Sequence, residues 1–118
     1  MFRTIFLLSS FGLAASALAD GYLRDQAEVE ALLTGATLDG IYLRTNSAYR
    51  LTFREDGTLD DGRETAARWW ISEQGQYCRE WLAGPLAGNE GCMDIRLHKG
   101  QVQLFFDGRQ VAEGVLQR

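Results

Sequence analysis

The residues of this sequence that are best suited to chemistry or binding lie in one short segment, 77–81, and at Cys92, which can pair with it. Tyr77, Arg79 and Trp81 alternate with Cys78, and Cys92, the second of two cysteines, follows a glycine-containing loop. Because the chain has a single histidine, a metal pair or a catalytic thiol lacks supporting ligands, and a disulfide between the cysteines is favoured. A disulfide closing a loop of this length contributes about 3 kcal/mol through chain entropy.

The usual catalytic motifs are absent from the sequence. After residue 19 the only serines are Ser47 and Ser72, with no nucleophile elbow, zinc-binding His-Glu-x-x-His or phosphate loop around them. The acidic segment 55–62 lacks the alternating oxygen ligands of a calcium loop, and His98 reads as a solvated turn residue. The sequence therefore predicts a protein that is not an enzyme, with no catalytic residues, metal or cofactor.

A change of pattern near residue 40 sets the predicted fold. Short alternating apolar runs are separated by glycine turns, many of them Asp-Gly, which favours an antiparallel meander. The predicted strands are 40–44, 49–54, 58–60, 68–71, 76–82, 92–97, 101–106 and 110–116. One helix is predicted at 23–34, with Asp25 as its cap, Glu28 three residues later and Gly35 as its stop. The expected class is mainly β, a small barrel or strongly curved sheet with one N-terminal helix and one disulfide.

Alternation assigns the faces of these strands. Cys92 shares its parity with Asp94 and Arg96, which places it on the outer face. A disulfide needs β-carbons about 4 Å apart, so Cys78 belongs on the outer face as well. Tyr77, Arg79 and Trp81 then point inward. The other residues assigned to the interior are Tyr49, Leu51, Phe53, Trp69, Met93, Ile95, Leu97, Val102, Leu104 and Phe106.

An arginine inside a small barrel requires a partner, because burying an unpaired guanidinium is costly. Tyr77, Arg79 and Trp81 are therefore the predicted ligand-binding residues for a small anionic or amphipathic molecule in the barrel interior. Two structural alternatives remain open at this point. Arg79 pairs internally with Glu113 or another acid, or it extends to the surface over an aromatic ring.

A second prediction concerns a protein partner. By alternation Trp70 and Phe105 point outward, and Pro85 lies in the loop 83–91 between the cysteines. Exposed aromatics and a constrained loop form a candidate partner-binding surface. The partner would be an envelope protein, and one example is a cell-wall hydrolase that this protein would inhibit. The structural alternatives are that the helix covers the two aromatics and that the loop is only a long hairpin connection.

Residues 1–19 have the pattern of a secretory signal peptide. One arginine, an apolar run and the small residues Ala17 and Ala19 precede an expected cleavage site before Asp20. The run is shorter than the ~20 apolar residues of a membrane anchor. We expect residues 20–118 to form one domain, monomeric, periplasmic or secreted, without stable membrane insertion. A net charge of −4 argues against nucleic acid as a partner.

Several motifs resemble those of small exported proteins found widely in alphaproteobacteria. The matching segments are an F-x-x-D-G-T turn from Phe53 to Thr58, the Trp70 strand, and the C-x-x-W…C pattern of Cys78, Trp81 and Cys92. The resemblance covers most of the chain after Leu38 and implies a periplasmic disulfide-bonded β domain, with no activity attached. In architecture alone the chain also resembles calycin-type barrels and periplasmic lysozyme inhibitors, without an inhibitor motif to transfer.

Overall fold

The computed structural model describes residues 20–63 and 66–118, which form an eight-stranded antiparallel barrel with one helix. The predicted signal peptide, residues 1–19, lies outside the described residues. The helix α1 spans Gln26–Leu33, and the strands are β1 Thr37–Tyr42, β2 Ser47–Phe53, β3 Thr58–Asp60, β4 Ala67–Ile71, β5 Tyr77–Trp81, β6 Glu90–His98, β7 Gln101–Phe106 and β8 Arg109–Gln117. Each strand pairs with the next, and β8 pairs with β1 to close the sheet. The predicted meander and barrel are confirmed.

The tight hairpins follow from their turn residues. Between β6 and β7, Lys99 and Gly100 both have positive φ, and Asp107 and Gly108 do the same between β7 and β8. Two successive residues with positive φ form the two-residue turn whose twist matches that of antiparallel strands. Gly at the second position adopts positive φ without steric cost. These turns fix the register of the last three strands, which lie next to one another in the sheet.

The helix covers one end of the barrel. Asp25 caps it by accepting a hydrogen bond from the Glu28 amide at 3.1 Å, and Gly35 follows it with a φ of 79°. Val29 and Leu33 are buried in the core, whereas the apolar residues Ala27 and Ala31 are exposed. The helix is thus held by a narrow apolar contact.

The predicted start of the helix at residue 23 is wrong for a tertiary reason. Tyr22 forms a β-bridge with Arg96, and the Leu23 amide donates to the Ile95 carbonyl at 2.8 Å. Pairing with the edge of β6 keeps this segment extended, so the helix begins only after its cap. No helix within residues 20–63 and 66–118 has the length and apolar character needed to cross a membrane.

The core fills the barrel interior as alternation predicts, except near the strand ends. The fully buried side chains include Leu38, Leu51, Phe53, Leu59, Tyr77, Ile95 and Leu104. The assignments of Leu97 and Phe106 to the interior are wrong in terms of burial: they are 50% and 52% exposed. Both lie at the ends of strands, where the barrel no longer encloses the side chain.

The closure between β1 and β8 depends on two glycines that face each other, Gly40 and Gly114. A β-carbon at Gly40 would lie 1.9 Å from the Glu113 carbonyl oxygen, and one at Gly114 would lie 2.6 Å from the Asp39 oxygen. These are contacts with backbone atoms, which cannot rotate away. The two strands therefore approach closely only because neither residue carries a side chain.

Substituting alanine at this closure should destabilise the barrel. We expect Gly40→Ala and Gly114→Ala each to lower the free energy of unfolding by about 3 kcal/mol or more, since the backbone must move to admit a methyl group. Urea denaturation followed by fluorescence measures this. Gly91→Ala is the matched control, because its β-carbon would meet its nearest neighbours at 3.6 and 3.8 Å, ordinary contact distances. Equal stability of all three variants would contradict this account.

Candidate functional site

The candidate site lies at the barrel end opposite the helix. Because the strands alternate in direction, the connections that follow β1, β3, β5 and β7 all reach this end. We call it the mouth and define it by Tyr49, Arg79, Trp81, Asn89 and Phe106. Tyr49 and Trp81 pack against the core, and Phe106 is 52% exposed.

Arg79 occupies an interior-facing position that solvent reaches. It lies between Trp69 on β4 and Gly91 on β6, in register with both. Its Nη1 donates to Oδ1 of Asn89 at 3.2 Å, and its guanidinium carbon lies 5.5 Å from the centre of the Trp81 ring. In the described part of the chain no carboxylate forms an ion pair with it. The guanidinium is therefore held by a neutral side chain and an aromatic ring.

This geometry decides between the two structural alternatives for Arg79. Glu113 is not its partner, because the Glu113 carboxylate accepts a hydrogen bond from Nε2 of Gln103 at 3.0 Å on the outer face. The side chain instead extends along the mouth over Trp81, as the second alternative describes. Such an arginine remains available to an anion that enters the mouth, since one hydrogen bond to an exposed amide is weak competition.

Tyr77 places a polar atom without a partner in the barrel interior. Its side chain is fully buried, and its ring meets Phe53 edge-on with centroids 5.3 Å apart. Its hydroxyl is the one buried side-chain oxygen or nitrogen in the described residues that makes no hydrogen bond. Leaving a buried hydroxyl unsatisfied costs about 1–3 kcal/mol. Buried polar side-chain atoms without a partner are uncommon in folded proteins.

Burial and the charge of Arg79 act in opposite directions on the pKa values of Tyr49 and Tyr77. Burial raises the pKa of Tyr77 well above its usual value, and a charged Tyr49 would raise it further. Burial also raises the pKa of Tyr49 to about 12. The positive charge of Arg79 opposes both increases. The two phenols are therefore neutral donors at physiological pH, and one guanidinium lies close enough to influence both.

Gly91 lies beside the guanidinium. A β-carbon there would lie 3.6 Å from Nη1 of Arg79 and 3.8 Å from Cε1 of Phe106, which is ordinary van der Waals contact with both.

The predicted disulfide is present and lies where alternation placed it. Cys78 and Cys92 are bonded and face each other directly across β5 and β6. Cys78 is fully buried because Trp70 lies opposite it on β4, on the outer face of the barrel. Outward cysteines on this pair of strands turn Tyr77, Arg79 and Trp81 to the inside.

The three residues predicted to bind a protein partner differ in how far they are exposed. Trp70 is half-buried, with the Arg68 guanidinium 4.3 Å from its ring centre. Phe105 points outward as expected but is only 7% exposed. The Tyr22 ring, 5.2 Å away, and the Arg96 guanidinium, 4.6 Å away, cover it. The cover comes from the segment before the helix rather than from the helix itself, and Pro85 remains exposed in its loop.

Three mouth residues were not recognised as site residues in the sequence: Tyr49, Asn89 and Phe106. Alternation assigned Tyr49 and Phe106 to the interior. Their positions, near the start of β2 and at the end of β7, could have placed them at the mouth, because both strand ends lie at the same end of the barrel. Asn89 gave no signal, because it lies in a loop with no periodicity. It meets Arg79 only because the loop folds back, with the Trp81 amide donating to the Asn89 carbonyl at 3.0 Å.

A depression lies at the opposite end of the barrel from the mouth, beside the helix. It has a volume of about 250 Å³ and is lined by Glu30, Thr34, Glu55, Gly57 and Trp69. Two carboxylates in an open depression repel anions and hold no cation by themselves. Elsewhere too, the described residues contain no group of three or more His, Cys, Asp or Glu side chains that could hold a metal ion.

Comparisons of the chain with protein-family models, with curated proteins and with solved structures found no match. The mouth must therefore be interpreted from its own geometry.

Removing the unpartnered hydroxyl should stabilise the protein. Tyr77→Phe keeps the ring that packs on Phe53 and deletes the unsatisfied group, so we expect the free energy of unfolding to rise by about 1 kcal/mol. Urea denaturation of this variant and of Tyr22→Phe, a control outside the barrel, measures the difference. A loss of stability in Tyr77→Phe would mean that a buried water satisfies the hydroxyl in solution.

Stability should fall at high pH because of Tyr49. The unfolded chain loses this proton near pH 10, whereas the folded protein keeps it to about pH 12. The folded state thus binds more protons between these values, and its stability, complete below pH 10, decreases as pH rises, by up to about 1.4 kcal/mol per pH unit from this residue. Urea denaturation at pH 9.5 and 11.5 should show a smaller drop for Tyr49→Phe than for wild type. An identical drop in both proteins would refute the assignment.

Proposed function

We propose that this chain is an exported, non-enzymatic binding module that takes a small amphipathic anion at the mouth of its barrel. The observation that carries the proposal is Arg79, an interior-facing guanidinium at the mouth whose side-chain partner is the neutral amide of Asn89. It meets no carboxylate among the described residues. A negatively charged group entering the mouth would give this guanidinium a strong acceptor.

The apolar half of the ligand is supported by the rings around the guanidinium. Trp81 lies beside it and Phe106 is 52% exposed at the same end. An exposed phenylalanine next to a cation provides apolar and charged contact within one small site, which suits a molecule with both characters. The export assignment rests on the sequence pattern of residues 1–19 and fits a disulfide-bonded domain.

A second candidate function is an interaction with an envelope protein such as a cell-wall hydrolase. One observation favours it: Leu82 and Leu86, in the loop that contains Pro85, are 52% and 55% exposed. These side chains lie at the same end of the barrel as the mouth. Replacing both with serine separates the two functions, because it should weaken protein binding through the loop and leave binding of a small anion intact.

Ligand binding should depend on Arg79. Titration of intrinsic tryptophan fluorescence with octanoate, octyl sulfate and octyl phosphate should give a saturable change, since Trp81 borders the site. We expect Arg79→Met to weaken binding by about tenfold or more, the usual effect of a charge-assisted hydrogen bond. Arg50→Met is the matched control, because Arg50 lies on the outer face of β2, 3.9 Å from Asp39.

Position 91 provides an independent check of the same site. Gly91→Leu should place an apolar side chain against Arg79 and Phe106 and abolish the fluorescence response. Ala48→Leu, which adds an apolar side chain at an exposed position of β2, should bind as wild type does. Absence of saturation with all three compounds would remove the proposed function. Unchanged binding in Gly91→Leu would show that the ligand binds at a site other than the mouth.

A further inference from the structure

Exposed apolar side chains are concentrated at the mouth end of the barrel. Seven large apolar side chains are exposed in the part of the chain that the structure describes, and five of them lie at or next to strand ends and connections on this side: Ile41, Leu43, Leu82, Leu86 and Phe106. Apolar residues scattered singly over a surface need no explanation, whereas a concentration of them at one end indicates a surface that contacts something.

These side chains stand on separate connections around the mouth. Leu43 begins the turn after β1, Leu82 and Leu86 lie in the loop after β5, and Phe106 ends β7 just before its turn. Because β1 and β5 are four strands apart in the closed ring of eight, Leu43 and Leu82 lie on opposite sides of the mouth. A flat apolar phase reaches all of these projections at once, whereas a protein bound through the loop after β5 would reach only that side.

Two of the apolar projections are accompanied by an arginine. Arg44 follows Leu43 in the chain, and Arg109 is the direct cross-strand partner of Phe106. Both arginines are exposed, and neither forms an ion pair among the residues that the structure describes. An apolar side chain beside a long cationic one suits the boundary between acyl chains and phosphates, because the apolar group enters the boundary while the guanidinium bonds a phosphate.

The distribution of charge determines which end of the barrel approaches an anionic surface at the lower cost. At the mouth end the described arginines and acids are nearly equal in number: Arg44, Arg63, Arg79 and Arg109 with Asp61, Glu90 and Asp107. At the helix end acids predominate, among them Asp25, Glu28, Glu30, Glu55, Asp56 and Glu73, and the cations Arg24 and Arg54 there are already paired with Asp20 and Asp60. An anionic surface therefore repels the helix end and accepts the mouth end.

We propose that the mouth end of the barrel binds reversibly to an anionic lipid surface. Leu43, Leu86 and Phe106 enter the boundary between headgroups and acyl chains, Arg44 and Arg109 bond lipid phosphates, and the acidic helix end faces away. This inference goes beyond the proposed function, because it concerns the rim of the mouth and requires no small ligand.

Vesicle flotation tests the inference with residues 20–118, which contain every strand of the barrel. This form is used because the apolar run within residues 1–19 would bind lipid by itself. Vesicles of phosphatidylcholine with about 30 mol% phosphatidylglycerol should bind the protein about tenfold or more tightly than vesicles of phosphatidylcholine alone. Raising the salt to about 0.5 M should remove most of this preference, since it screens the attraction between arginine and phosphate.

Paired substitutions identify the apolar side chains responsible. Leu43→Ser combined with Leu86→Ser should weaken binding to the anionic vesicles by about tenfold or more, because two apolar anchors are lost. Leu97→Ser combined with Val115→Ser is the matched control: these side chains are 50% and 43% exposed, close to the 55% of Leu86 and the 42% of Leu43, but lie toward the helix end. This control should bind within about twofold of wild type.

A second pair of variants identifies the charges. Arg44→Gln combined with Arg109→Gln should reduce the preference for anionic vesicles by about tenfold. Lys99→Gln combined with Arg50→Gln removes the same amount of charge from the helix-end hairpin and from the outer face of β2, and should leave the preference unchanged.

Tryptophan quenching reports the orientation directly. Trp81 ends β5 at the mouth, whereas Trp69 and Trp70 lie further along β4 toward the helix end. Phosphatidylglycerol brominated on its acyl chains should therefore quench Trp81 on binding and leave the other two unquenched. In Trp81→Phe, which keeps an aromatic ring at the mouth, the bound protein should show no quenching.

Three results would overturn the inference: no binding to vesicles, equal binding with and without phosphatidylglycerol, or quenching that persists in Trp81→Phe. If vesicles do not bind and the protein dimerises in sedimentation velocity, with Leu43→Ser and Leu86→Ser preventing the dimer, the rim is a contact between two copies. Failure of the proposed function is separate, because these variants leave Arg79 in place. Vesicle binding without any response to octanoate, octyl sulfate or octyl phosphate would remove the small-anion site and leave the lipid-binding rim.

Discussion

The closed ring of hydrogen-bonded strands is the constraint on which the rest of this structure depends. In an open sheet an edge strand can slip by one residue and exchange its faces, whereas in a closed barrel each strand is held by two neighbours. Gly40 and Gly114 allow the last pairing, between β8 and β1, to form. Once the ring is closed, the parity of every residue is fixed. Arg79 then has to share the interior face with Tyr77 and Trp81, despite the cost of its charge.

The two ends of the barrel differ in the side chains that occupy them. At one end the apolar residues Val29 and Leu33 of the helix complete the core and give the fold its stability. At the other end an interior-facing position of β5 carries a guanidinium attached to a neutral amide. The phenol of Tyr77, buried without a partner, begins the same strand. A fold that was selected for stability alone would place apolar side chains at both positions.

Much of the fold could be predicted from the sequence because it depends on local signals. Glycine turns and two-residue alternation located all eight strands to within a few residues, and pairing the two cysteines oriented Tyr77, Arg79 and Trp81. The cover over Phe105 could not be predicted, since Tyr22 reaches it through a bridge to a strand more than seventy residues away in the chain. For the same reason the Arg79–Asn89 contact and the unpartnered hydroxyl of Tyr77 were not predictable: both depend on three-dimensional packing rather than on periodicity.

The position of the disulfide has a consequence for proteolysis. The loop 82–89 is exposed along its whole length, and Cys78 and Cys92 are bonded directly across its base. A protease that cuts this loop severs one peptide bond, yet the fragments remain joined by the sulfur bridge and by the paired strands on either side. A nicked molecule would thus keep its ring of strands closed and separate into two pieces only when it is both reduced and unfolded.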